Sequence, residues 1–437
     1  PAHSLTLIVA LQHVMGLVIA ALVYAVLRRH GLPAWGATVG ALPALFDSAQ
    51  LLTESLVMAD TLAMLLMVAA LAVLLLRPVP SLARSVTAGL LMGASAIVRP
   101  TALPLIAAIA VFLLVRRAGW RRAGAALAAG ALPVVAYMGW FDAAHGSFNM
   151  SQSNGLFLWS RTMSFANCQV IDPPADLRQL CPTAQHGVLA QPDPAKRLAP
   201  KRYLWRRLSW PWWHHQPVGI VPDKVPFTPA NNTRALRFAI KAITAQPLAY
   251  ATTVGQESLQ PFTRNDATLH FPGRQTLSNG VDQPHVRYAV AAVNGYAGNG
   301  DAIKPYVSYH FATRLHQPFA YLMNQYQKVI FLPGLLLGLI ALAGLAGIVL
   351  PRRRSAAAIL LWVSAAIIIV LPIAEHEYTY RYALPAVPLL TMAAALAFRT
   401  PQRPRPAQAD GTADAAHSAP EPDPAAGTGT GPGQQSA

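Results

Sequence analysis

Long apolar runs make up most of the chain, and short stretches rich in arginine interrupt them. Read as helices, these runs give nine spans: 4–27, 33–46, 55–76, 85–98, 102–115, 123–141, 329–350, 356–374 and 383–398. Several reach the roughly 20 apolar residues that carry a helix across a bilayer. The second, fourth and fifth are short, so each needs tilt, a neighbour, or a break at the mouth of a cavity. The segment 142–328 is different in kind. It is mixed in polarity, carries many prolines with Trp159, Trp205, Trp210, Trp212 and Trp213, and contains a helical run at 232–244. From Thr400 the composition turns to Pro, Ala, Gly, Asp and Gln with almost no large apolar residue, as in a disordered tail.

The pattern predicts an all-α polytopic membrane protein. It has an N-terminal bundle of six spans over 1–141, a mixed extracytoplasmic domain over 142–328, three further spans within 329–398 and a disordered cytoplasmic tail over 399–437. Composition agrees: 437 residues that are 54% hydrophobic and only 12% charged are too apolar for a soluble domain of this length.

The net charge of +16 suggests nucleic acid until its placement is considered. Alternate loops carry Arg28 and Arg29; Arg77 and Arg84; Arg116, Arg117, Arg121 and Arg122; Arg352, Arg353 and Arg354; and, after the last span, Arg399, Arg403 and Arg405. The intervening short loops hold only Arg99 and Arg381. Basic flanks stay in the cytoplasm. The rule puts Pro1 and the whole of 142–328 outside the plasma membrane. The remaining 18 Lys and Arg are spread through 142–328, which fits a solvated surface near anionic lipid better than a nucleic-acid groove. The first residue is Pro1 rather than Met, and no basic region precedes the first apolar run, so 4–27 does not read as a signal peptide. A start truncated or processed, with one earlier helix removed, accounts for an odd span count with the N-terminus outside.

Both cysteines, Cys168 and Cys181, fall in the outer segment. In an oxidising compartment they most simply form one disulfide; two buried thiols are the alternative, and no metal-binding cysteine pattern is present.

Three polar clusters converge on the outer face. In the first, Asp47, Thr53 and Glu54 lie between the second and third spans, where carboxylates suit a divalent metal or a sugar hydroxyl. The alternative is helix capping, favoured for Asp47. The second is Arg99-Pro100-Thr101. Proline excludes helix at the residue before it, so the chain breaks at Arg99, where a guanidinium can fork onto a phosphate. The alternative for Glu54 and Arg99 is an interfacial side chain reaching for water. The third is Glu375, His376, Glu377, Tyr378, Tyr380, Arg381 and Tyr382, leading into Ala383-Leu384-Pro385. His376 between two glutamates matches no standard metal-ligand spacing; Arg381 is the better phosphate partner. Pro211-Trp212-Trp213-His214-His215 reads as an interfacial aromatic anchor. Walker loops, nucleophile elbows and dinucleotide fingerprints are absent from the sequence.

Thr53-Glu54 before a long span, Ala88-Gly89-Leu90-Leu91-Met92-Gly93 running into Arg99-Pro100, a large outer domain, and Arg381-Tyr382-Ala383-Leu384-Pro385 opening the last span stand in that order. Over roughly 1–398 this order resembles the phospholipid carrier-dependent glycosyltransferases of the GT-C superfamily, relatives of protein O-mannosyltransferases and of the lipid A aminoarabinose transferase. The resemblance implies a GT-C-like helical bundle and inverting transfer of a sugar from a polyprenyl-phosphate donor to a glycan, lipid or protein acceptor at the outer face. It makes Arg99, Arg381 and Tyr382 the phosphate-side candidates. Glu54 becomes the second acidic residue, for sugar or for a divalent metal that Asp47 could share. The family's catalytic acidic residue sits in a first outer loop, which would precede Pro1. Two other classes stay open: a lipid-linked saccharide flippase, which calls for ionisable groups inside the spans, where apart from Asp60 there are almost none, and a non-catalytic scaffold presenting the outer domain.

Overall fold

The structure is a computed structural model, and it describes residues 5–185, 189–205, 228–263, 318–350 and 355–398. The expected tail at 399–437, the aromatic anchor at 211–215 and Arg352, Arg353 and Arg354 lie outside the described residues. Every regular element among the described residues is helical. The first part of the chain forms α1 (Leu5–Arg29), α2 (Ala34–Phe46), α3 (Ser48–Ser55), α4 (Asp60–Leu75), α5 (Leu82–Val98), α6 (Leu103–Val115) and α7 (Trp120–His145). The segment 142–328 contributes α8 (Asn154–Thr162), α9 (Cys168–Ile171), α10 (Pro200–Trp205), α11 (Pro229–Ala245), α12 (Pro247–Ser258) and α13 (Gln260–Thr263). There follow α14 (Phe319–Val329), α15 (Gly334–Val349), α16 (Ala356–Glu375), α17 (Tyr380–Ala383) and α18 (Val387–Ala397).

Three helices are each long and apolar enough to cross a membrane: Thr6–Arg29, Trp120–His145 and Ala356–Glu375. Two bent pairs also qualify when each is counted as one span. One is Ser48–Ser55 with Asp60–Leu75, bent by 117°. The other is Tyr321–Val329 with Gly334–Val349, bent by 49°. The apolar helices Ala34–Phe46, Leu82–Val98 and Pro100–Val115 are shorter. Exposed apolar side chains such as Leu7, Val14, Val39, Val111, Leu132 and Leu339 line the outside of these helices, an apolar surface that suits lipid rather than water.

α4 sits at the centre of the bundle and packs against α1 and α5. Its Met67, Val68, Leu71 and Leu74 are buried, and its apolar side chains run all round the helix rather than along one stripe. The Ala88–Gly93 stretch acquires a packing role here. Gly89 of α5 meets the Ala126 carbonyl of α7, and a Cβ there would collide with it. The two backbones can approach only because glycine stands at the contact, the same small-residue logic that joins helices in membranes.

The expected third span differs from the pattern. The run 55–76 reads as continuous because Leu56, Val57 and Met58 are apolar. In the structure those residues form a sharp break, the helix resumes at Asp60, and Thr53 and Glu54 belong to the separate short helix α3. α1 pins the break, with Gln12 Nε2 donating to the Met58 carbonyl at 3.0 Å.

Within 142–328, α8 and α11 pack together around Trp159, Phe238 and Tyr203. The expected disulfide is present between Cys168 and Cys181, and Trp159 Nε1 donates to the Leu180 carbonyl beside it at 3.0 Å.

Candidate functional site

Asp60, Arg99, Arg381 and Tyr382 form a charged group at one end of the bundle. α4 opens on Asp60, and Ser95 Oγ of α5 donates to the Ala63 carbonyl at 2.8 Å, which holds the start of α4 beside the end of α5. At that end Pro100 forces Arg99 into an extended conformation, φ −143° and ψ 111°. The Arg99 side chain leaves the helix axis and its Nη2 bonds to Asp60 Oδ1. Arg381 arrives from α17, its Nε 3.7 Å from the same carboxylate oxygen. The ring of Tyr382 lies between them, with each guanidinium carbon 5.1 Å from its centre, within the range of a cation–π contact.

The two arginines are not equally satisfied. Arg99 has a direct ionic hydrogen bond. Arg381 reaches only the Met58 sulfur at 3.5 Å and the Tyr382 hydroxyl at 3.4 Å, both weak by distance. Its Nε is shielded from solvent and has no hydrogen-bond partner. Two guanidiniums and one carboxylate leave one positive charge unbalanced in a partly buried setting, where a further anion would be held most strongly.

The other expected residues lie in different surroundings. Glu54 is buried; Gln50 Nε2 donates to its Oε1 at 2.7 Å, and His13 Nδ1 lies 2.8 Å from its Oε2. A side chain at Gly16 would collide with this carboxylate, so the glycine makes the room. Asp47 is a cap: its carboxylate accepts from the Ala49 N–H at 3.4 Å, the Leu332 N–H at 3.3 Å and the Tyr380 hydroxyl at 3.3 Å. Of its two sequence readings, metal binding and capping, the structure displays the second. Among the described residues no three His, Cys, Asp or Glu side chains come close enough together to share a metal ion. His376 turns away from its flanking glutamates, its Nδ1 2.8 Å from Ser160 Oγ, and Glu377 pairs with Lys201 at 3.3 Å.

Pattern reading did not single out Asp60 as a site residue. The signal was available, because it is the only carboxylate inside the nine apolar runs, but the partners that give it meaning come from α5 and α17. In a second buried group, Arg161 and Glu257 join His376, and neither of these two partners stands out in the sequence. Arg161 is fully buried; its terminal nitrogens donate to both Glu257 oxygens at 2.9 Å and to the His376 carbonyl at 3.0 Å. This network ties α8 to α12 and to the loop after α16. Arg161 Nε, also shielded from solvent, has no hydrogen-bond partner, so the network closes on the terminal nitrogens alone. Burial, with Arg161 and Lys201 nearby, pushes the His376 imidazole down to about 3, so the ring is neutral at physiological pH.

Comparison with protein families, with characterised proteins and with solved structures gives no match for this chain.

Proposed function

We propose that this chain is a multi-pass plasma-membrane glycosyltransferase. It moves a sugar from a polyprenyl-phosphate donor to an acceptor at the outer face, with Arg99 and Arg381 gripping the carrier phosphate. One observation carries the reading. The two arginines that stand outside the arginine-rich loops converge, from α5 and α17, on one carboxylate and one tyrosine ring. The under-bonded Arg381 has donors left for a phosphate.

Glycosyl transfer from a lipid phosphate leaves negative charge on the departing oxygen, and fixed guanidiniums aimed at that oxygen stabilise the transition state. Asp60 holds the Arg99 donor in place and keeps the pair from repelling each other in the ligand-free state. The Tyr382 ring provides a flat wall between them. Glu54, paired with His13, is the carboxylate for a sugar hydroxyl. The arginine-rich turns after α1, α4 and α6 lie at the far ends of the helices that carry this site, an arrangement that supports cytoplasmic turns and an outer site.

The experiment is sugar transfer from a polyprenyl-phosphate-linked donor in membranes containing the protein. Arg381→Ala and Arg99→Ala are each expected to lower the rate by about 100-fold or more, the effect of removing one donor to a developing oxyanion. Unchanged transfer in both variants overturns the assignment.

A further inference from the structure

The opposite end of α4 carries a polar feature that the proposed transfer does not use. Leu75 lies about 22 Å from Asp60 along the helix at 1.5 Å per residue, and there a cavity of about 290 Å³ opens. Its polar wall is Arg29, His30, Arg77, Arg116 and Ser355. These residues come from the end of α1, the turn between α4 and α5, the end of α6 and the start of α16.

Backbone carbonyls of the α4–α5 turn hold two of the guanidiniums at the rim. Arg29 Nε donates to the Leu76 carbonyl at 3.0 Å, and Arg116 Nη2 donates to the Pro78 carbonyl at 2.8 Å. Each keeps further N–H groups beyond those bonds. No Asp or Glu lines the cavity, and among the described residues Arg29, Arg77 and Arg116 take part in no ion pair. Ser355 precedes the 20-residue helix α16 and gives it no side-chain cap, so the positive end of that helix faces the same space. Three guanidiniums and a helix N-terminus around one hollow repel one another unless an anion joins them. Val79, Leu82 and Val115, next to the lining residues in sequence, are exposed apolar side chains that suit acyl chains.

We propose that this cavity is a binding site for the phosphate of an anionic lipid headgroup. Basic pockets between helices on the arginine-rich side of a membrane protein recognise such groups, and the bidentate fork of arginine matches a phosphodiester. The site is separate from the one proposed for sugar transfer, and binding, not transfer, tests it.

The test is binding by the purified protein in phosphatidylcholine nanodiscs, titrated with phosphatidylglycerol and followed by native mass spectrometry, with inorganic phosphate as a parallel titrant. Phosphatidylglycerol is expected to bind saturably. Arg77→Ala and Arg116→Ala should each weaken it about tenfold, the loss of one charge-assisted hydrogen bond, while Arg121→Ala, outside the cavity, should leave it unchanged. Arg77 is exposed, so Arg77→Ala tests the site without disturbing the fold. Arginine-dependent binding of inorganic phosphate at similar concentration supports the site and assigns it to soluble phosphate. Equal binding of phosphatidylcholine, or unchanged affinity in the variant combining Arg77→Ala and Arg116→Ala, overturns the proposal.

Discussion

Arg161 and Arg381 are the same side chain in two kinds of place. Arg161 is fully buried and both of its terminal nitrogens bond to Glu257, one of them also to the His376 carbonyl, all within 3.0 Å, while its Nε has no partner. Arg381 is partly exposed and sits 3.4–3.7 Å from each of its partners. A guanidinium enclosed by the fold and locked onto a carboxylate by two short bonds ties helices together and is out of a ligand's reach. One whose donors are held near a carboxylate and a ring, yet not satisfied by them, is pre-positioned for an anion. Charge alone does not separate the two residues, and each keeps a buried Nε without a partner; the exposure of the guanidinium and the length of its contact with the carboxylate do.

The sharpest break between them is in stability. Arg161→Ala leaves Glu257 inside the structure without its partner, a change that costs about 3–5 kcal/mol. Thermal unfolding of the purified protein should show the loss. An unfolding curve like wild type would mean that Arg161 is not a structural clamp. The disulfide is a second structural tie in the 142–328 segment. Replacing Cys168 and Cys181 with Ser should cost about 3 kcal/mol in the entropy of the unfolded chain, read as earlier unfolding and faster proteolysis of the 142–328 segment.

A smaller effect follows from His376. Its folded value of about 3 lies below its ordinary 6.5, so between those values the unfolded chain takes up a proton that the folded chain refuses. The stability tied to neutral His376 is fully present above about pH 6.5 and is lost progressively as pH falls toward 3. The unfolding midpoint should fall across that window in wild type and fall less in His376→Gln; equal slopes would show that the imidazole is already protonated in the folded state. The smallest change in stability is expected for Arg381→Ala, within about 1 kcal/mol, as for a loosely held ion pair. A destabilisation matching that of Arg161→Ala would erase the distinction between the two arginines.

The sequence makes some of this legible and hides the rest for physical reasons. The helical class is carried by long apolar runs, and the disulfide follows because only Cys168 and Cys181 exist to pair. Asp47 as a cap follows from its place between two helices, and the bend at Arg99 from the proline behind it. The break after Ser55 is invisible because Leu-Val-Met is as apolar as the helix it interrupts, and its tertiary contacts come from distant positions, Gln12 on α1 and Arg381 on α17. Asp60 and Arg99 stand 39 positions apart, Arg161 and Glu257 96 apart. No local period links such pairs, and a carboxylate in an apolar run does not announce which arginine it will meet. Ala88–Gly93, quoted in the sequence for a family likeness, turns out to shape the close contact between α5 and α7.

The central claim is that Arg99 and Arg381 hold one phosphate together. Its most direct test is the affinity of the purified protein for a polyprenyl monophosphate in nanodiscs, measured for wild type, Arg99→Ala, Arg381→Ala and the double variant. The account predicts about tenfold or greater weakening in each single variant and non-additive losses in the double, because both side chains act on the same group. Wild-type affinity in both single variants would contradict it.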